Sequence, residues 1–151
     1  ALGLSDYLNK FLAEGPYRAD DLDYAEQNDH SRLQPEHFND SYCNIVLETH
    51  FDADRSGGAF LTEKTFKPII CKHPFLLAAT PYSLRVLRKL GFKTFHPFID
   101  ETYDTIENDE DRLLAIMDEV ERLCNLTDTQ ILKFQEDIKD IVEHNLSLFL
   151  K

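Results

Sequence analysis

Two kinds of chemistry overlap in residues 51–69, which read "FDADRSGGAFLTEKTFKPI". Asp52, Asp54, Ser56 and Glu63 stand at positions 1, 3, 5 and 12 of a twelve-residue calcium loop, with Gly57 at the turn position 6 and the Gly58 carbonyl at position 7. The second half suits a different ligand. With Thr62 as a helix N-cap, the amides that follow it and the Lys64 ammonium would face a phosphate; Pro68 leaves open a helix that starts nearer Thr65 or bends at the proline. Arg55 adds a further, weaker cation in the loop, and Glu48 or Glu63 would accept hydrogen bonds from paired sugar or ribose hydroxyls.

Several features weigh against calcium. Position 8 is Ala59 rather than a larger apolar residue, no second loop follows, and the entering segment "CNIVLETH" reads as a strand rather than a helix. Pro68 falls where the exiting helix should run on. The D-x-D of Asp52 and Asp54 also imitates the metal-binding motif of one glycosyltransferase fold, a weaker match still. Against the phosphate reading stands a plain one, in which Glu63 and Lys64 are a solvated helix start; the pattern alone leaves these two open.

Other carboxylates group at "FIDETYD", where Asp100, Glu101 and Asp104 have the types needed for acid and base work on a glycosidic bond. The preferred reading is a loop with Tyr103 packed down and the acids solvated. Glu48 and His50 are unsupported as a base, and Lys72, His73 and Pro74 read as turn residues. Neither a nucleotide-binding glycine motif nor a nucleophile elbow occurs, and histidines and cysteines show no metal spacing.

The elements that must position these residues follow from the apolar pattern. Leu4, Leu8, Phe11 and Leu12 predict a helix over residues 4–13, stopped by Gly15 and Pro16, and the acidic residues 14–29 predict an exposed loop. After a helical turn at residues 35–40, "YCNIVLET" and "PFLLAA" predict buried parallel strands. Thr80 and Pro81 would start a helix carrying Leu84, Leu87 and Leu90, ended by Gly91, and "GFKTF" would be a third strand. Asn108 caps a helix with Leu113, Ile116, Met117, Val120, Leu123 and Cys124 on one stripe. A capping box of Thr127 and Gln130 opens a last helix that buries Ile131, Phe134, Ile138, Ile141 and Val142. The alternation predicts an α/β domain of Rossmann-like, three-layer type: a short parallel sheet of three or more strands with C-terminal helices. The 151 residues fit one such domain, with residues 1–41 as lead-in, 42–96 as the strand and helix core and 97–151 as C-terminal helices.

Sixteen basic against 28 acidic residues give a formal charge of -12, which makes nucleic acid and anionic membrane poor partners. Three scattered cysteines and the lack of any long apolar run or signal-type start point to a reduced, cytoplasmic protein without a membrane span.

The stretch "VLETHFDADRSGGAFLTEKTFKPI" resembles the donor-site segment of family 10 fucosyltransferases, where a strand ending in Phe-Glu-Asn precedes a Tyr-x-Thr-Glu-Lys turn. Glu48 matches the strand-end glutamate; Thr62, Glu63 and Lys64 match the Thr-Glu-Lys. Residues 42–123 more broadly are similar to glycosyltransferase-like proteins of viral and environmental origin. Thr49 replaces the strand-end asparagine, and the connecting loop is longer and acidic. The resemblance implies the C-terminal, donor-binding half of a GT-B type enzyme that binds a nucleoside diphosphate sugar, with GDP as the expected nucleotide, and requires no cofactor. It also implies that the acceptor site and catalytic base lie in a second glycosyltransferase domain, so no catalytic residue is assigned here. A non-catalytic interaction domain on the same scaffold is the competing expectation.

Overall fold

A computed structural model describes residues 4–14, 33, 35–53 and 58–151. The chain divides into two compact units, Ala1–Leu33 and Gln34–Lys151. In the first, α1 (Leu4–Glu14) forms where the helical period predicts it. Of the expected acidic loop, residues 15–29 lie outside the described residues.

The second unit is mixed α/β with helices at its C-terminus. A short α2 (Glu36–Asn39) precedes β1 (Asn44–Leu47), α3 (Glu63–Ile70), β2 (Phe75–Ala78) and α4 (Ser83–Lys89). A 3₁₀ turn (Thr102–Thr105) then leads to α5 (Asp109–Cys124), α6 (Asp128–Asp137) and α7 (Lys139–Phe149). The two strands pair in parallel, with Asn44 opposite Phe75 and Leu47 opposite Ala78. Backbone bonds from Asn44 N to the Pro74 oxygen (2.9 Å) and from Glu48 N to the Ala78 oxygen (3.0 Å) bound the ladder. All of β2 is buried, as a continuous apolar run should be in a parallel sheet. Along β1 only Val46 is buried, and Ile45 and Leu47 are exposed. Leu76, Leu77, Leu84, Leu87, Phe95 and Ile99 form the centre of the core.

Four expectations are corrected. The sheet has two strands among the described residues, not three or more, because "GFKTF" joins no ladder. Side chains satisfy its backbone instead: the Asn145 amide accepts from Lys93 N at 2.8 Å and donates to the Lys93 oxygen at 2.9 Å, while Glu101 accepts from Phe95 N at 2.6 Å. One asparagine thus makes the two bonds that a neighbouring strand would make.

Helix α4 begins at Ser83, not at Pro81. Tyr82 adopts a left-handed backbone (φ 65°), which ends the turn started by Thr80 and Pro81. Asp104 supplies the cap, accepting from Leu84 N at 2.9 Å and Arg85 N at 3.3 Å. The buried stripe of α5 is Arg112, Ile116, Glu119 and Leu123, whereas Cys124 is exposed and Leu113, Met117 and Val120 are half-buried. Finally, the last helix is two, α6 and α7, interrupted at Ile138; no glycine or proline marks the break.

The local caps form as expected. Asn108 accepts from Asp111 N at 2.9 Å, and Thr127 with Gln130 closes the capping box.

Candidate functional site

Glu48 follows β1 directly and is buried, yet its carboxylate is accommodated because every donor around it is aimed at an oxygen. Oε1 accepts from Thr62 N (2.9 Å) and Thr65 Oγ1 (2.6 Å); Oε2 accepts from Thr62 Oγ1 (2.7 Å) and Thr49 N (3.3 Å). Burial, the largest single influence, pushes the Glu48 pKa upward, but the bonds from Thr65, Thr62 and Thr49 together outweigh it and hold the carboxyl below its ordinary range. The carboxylate therefore ties the end of β1 to the start of α3 across fourteen residues.

That clamp fixes the helix start. Thr62 is the N-cap, its Oγ1 accepting from Lys64 N at 3.3 Å, and Glu63 is the first helical residue. The exposed Lys64 ammonium donates to Thr49 Oγ1 at 3.0 Å and reaches Thr62 Oγ1 at 3.5 Å. Glu48, Thr62, Glu63 and Lys64 are thus brought together at the carboxyl end of β1, the side on which open α/β sheets bind ligands. Pro68 lies inside α3 and is buried there without ending the helix.

Arg112 organises the neighbouring strand end. Its guanidinium is 1% exposed and donates to the carbonyls of Ala79, Phe51, Ile106 and Glu107, and to Asp109 Oδ1 at 2.7 Å. It also lies 4.3 Å above the Phe51 ring centroid. Asp109 accepts from Ala53 N at 3.0 Å as well, so the loop leaving β1 is pinned to the first turn of α5. With all five donors engaged, Arg112 builds the site and has none left for a ligand phosphate. Lys64 and Glu63 retain polar capacity; Glu48 and Arg112 do not.

The calcium alternative divides. Asp52 is exposed and Glu63 sits at the head of α3, whereas Asp54, Ser56 and Gly57 lie outside the described residues, as does Arg55. Among the described residues no group of three or more histidine, cysteine, aspartate or glutamate side chains could hold a metal. His50 packs at a tilt against Phe60, with 5.3 Å between ring centroids.

The acids of "FIDETYD" are not all solvated as expected: Asp100 is exposed, but Glu101 and Asp104 are buried beside Tyr103. Glu101 accepts from Arg88 (2.6 Å), Thr94 Oγ1 (2.7 Å) and Phe95 N. Burial pushes the Asp104 carboxyl up, against the opposing pull of the Leu84 and Arg85 amides. The Tyr103 hydroxyl accepts from Leu77 N at 3.2 Å, so these residues support β2 and α4 rather than a reacting group. Sequence reasoning missed Arg112 and Glu119. The available signal was their phase, since both repeat with Ile116 and Leu123 on the core face of α5.

Among the described residues no helix is long and apolar enough to cross a membrane. Compared with protein-family models, curated proteins and solved structures, the chain matched none.

Proposed function

We propose that Gln34–Lys151 is the Rossmann-like, donor-binding part of a GT-B type glycosyltransferase and takes a nucleoside diphosphate sugar, with GDP as the nucleotide. The observation that carries this reading is the exposed Lys64 ammonium beside Thr49 and the capped start of α3, at the carboxyl end of a parallel strand. Lys64 binds the diphosphate, Glu63 accepts from a ribose or sugar hydroxyl, and Arg55, outside the described residues, is the weaker candidate for a second phosphate contact. Glu48 acts through Thr62, holding the helix start in place. In transfer, the bond from the anomeric carbon to the diphosphate breaks and a bond to the acceptor oxygen forms, the acceptor's proton passing to a base of a second glycosyltransferase domain. Positive charge at Lys64 stabilises the departing diphosphate. The acceptor is unassigned, and the resemblance gives no role to a cofactor or metal.

Calorimetric titration tests the reading with GDP, UDP and calcium chloride, on the chain and on Lys64→Ala. Nucleotide binding that weakens about tenfold in the variant supports it. Silence with both nucleotides overturns it, and a calcium signal alone would restore the metal loop of Asp52, Asp54, Ser56 and Glu63. The second reading, a non-catalytic interaction domain, draws on the exposed Ile45 and Leu47 of β1.

A further inference from the structure

We propose that a separate pocket at the amino ends of the two strands binds a small oxyanion, a carboxylate or phosphate monoester, carried on an apolar body of about one ring. The cavity has a volume of about 230 Å³ and an apolar floor of Tyr42, Pro74, Ile138 and Val142. Lys72, Lys139 and Gln135 line it with polar groups. Pockets for drug-sized ligands begin at about 300 Å³, so this one suits a smaller molecule.

The polar groups are available. Among the described residues the side chains of Gln135 and Lys139 make no hydrogen bond or ion pair. The Lys72 ammonium lies 3.0 Å from Glu143, but both side chains are about half exposed, so the pair is weak enough for an anion to share the ammonium. In a chain with 28 acids to sixteen bases, a lining that holds two lysines, one of them paired with Glu143, and no carboxylate of its own runs against the overall charge. His73 completes the wall as an uncharged ring: burial holds its pKa below the ordinary value, its Nε2 lies 3.1 Å from Ser41 Oγ, and it forms a T-shaped pair with Phe38.

Backbone geometry also favours a defined site. Lys72 has φ 53° at the residue after the α3 cap, a place where glycine is the low-energy choice. Bonds from Lys72 N to the Ile69 oxygen (3.2 Å) and from His73 N to the Pro68 oxygen (2.8 Å) lock that conformation. The turn thus holds a lysine at the pocket wall where packing alone would accept glycine. An anion between Lys72 and Lys139, with its apolar body over Ile138 and Val142, uses both halves of the lining. The floor distinguishes such a ligand from free inorganic phosphate.

The test is a methyl NMR titration of the full chain with phenyl phosphate, benzoate, inorganic phosphate and benzyl alcohol. Saturable shifts at Ile138 and Val142 are expected with phenyl phosphate or benzoate, the stronger of the two naming the oxyanion, and weaker ones with inorganic phosphate or the neutral alcohol. Lys139→Gln should weaken binding about three- to tenfold, while Lys133→Gln, outside the pocket, leaves it unchanged. Equal losses in the two variants, or shifts at these methyls that never saturate, would overturn the site. So would inorganic phosphate binding as well as the aromatic anions.

Discussion

Glu48 shows how a single side chain can be specified by the donors around it. Each carboxylate oxygen accepts one backbone amide and one threonine hydroxyl, so both must be acceptors. A hydroxyl can reverse, but an amide cannot. Glu48→Gln therefore turns an NH₂ group toward Thr49 N or Thr62 N, and the expected loss is about 2 kcal/mol of folding stability. The loss should depend on pH in a defined direction. Because the folded pKa lies below the ordinary 4.5, the folded state binds this proton less tightly than the unfolded one. The carboxylate's contribution is complete above that ordinary value and fades as pH falls through the folded one. Urea denaturation of both proteins at pH 7 and through the acid range would show the gap narrowing on acidification; a gap independent of pH would contradict the account. Asp104 has the opposite sign. Burial raises its pKa, so its protonation on acidification favours the folded state and partly masks the loss at Glu48 unless the two proteins are compared as a difference.

At the scale of elements, α3 and α4 end in the same way with different residues. In α4, Gly91 N bonds the Arg88 oxygen at 2.9 Å and Phe92 N the Leu87 oxygen at 3.3 Å, with Gly91 at φ 95°. The matching residue after α3 is Lys72, left-handed like Gly91. Opposite substitutions should therefore have opposite effects. Lys72→Gly removes a left-handed cost and should raise stability by about 1 kcal/mol, since the exposed pair with Glu143 contributes little. Gly91→Ala should lower it by about 1 kcal/mol or more, because a Cβ there meets Leu148 Cδ2 at 3.2 Å in addition to the strain. Thermal unfolding of the two variants checks both, and a shared sign would refute the comparison. These stops, and the caps at Thr62, Asn108 and Thr127, were legible because capping is decided within a few residues. The strand mimicry by Asn145 was not, since it spans 52 residues, and neither was the cap of α4, supplied by Asp104 from twenty residues away. An apolar pattern counts Arg112 and Glu119 as surface, whereas their hydrogen bonds carry them into the core. Of the site, Thr62, Glu63 and Lys64 could be read from local chemistry, while the filling of every Glu48 acceptor could be known only from the folded neighbours.

At the scale of the whole molecule, the unusual feature is a parallel pair in which β1, among the described residues, has no strand on its outer edge. Parallel sheets are normally covered on both faces, yet Ile45 is 44% exposed and Leu47 66% exposed. By the alternation of a parallel ladder, the backbone groups of Ile45 and Leu47 point away from β2, because Asn44 N and Glu48 N point toward it. The outer edge of β2 is closed by Tyr103 and Arg112, which bond Leu77 N and the Ala79 oxygen; among the described residues no comparable groups bond β1. The strand "NIVL" carries no charge or proline of the kind that protects edges. The net charge of -12 provides a general repulsion instead, and salt screens it. Raising sodium chloride from about 20 to 300 mM, which shortens the screening length several-fold, should therefore increase self-association measured by sedimentation velocity. Leu47→Lys should abolish that increase while changing folding stability by no more than about 0.5 kcal/mol, as an exposed position permits. A loss of 2 kcal/mol or more would mean that the outer face of β1 is covered in solution, and the charge would then be acting on a buried surface.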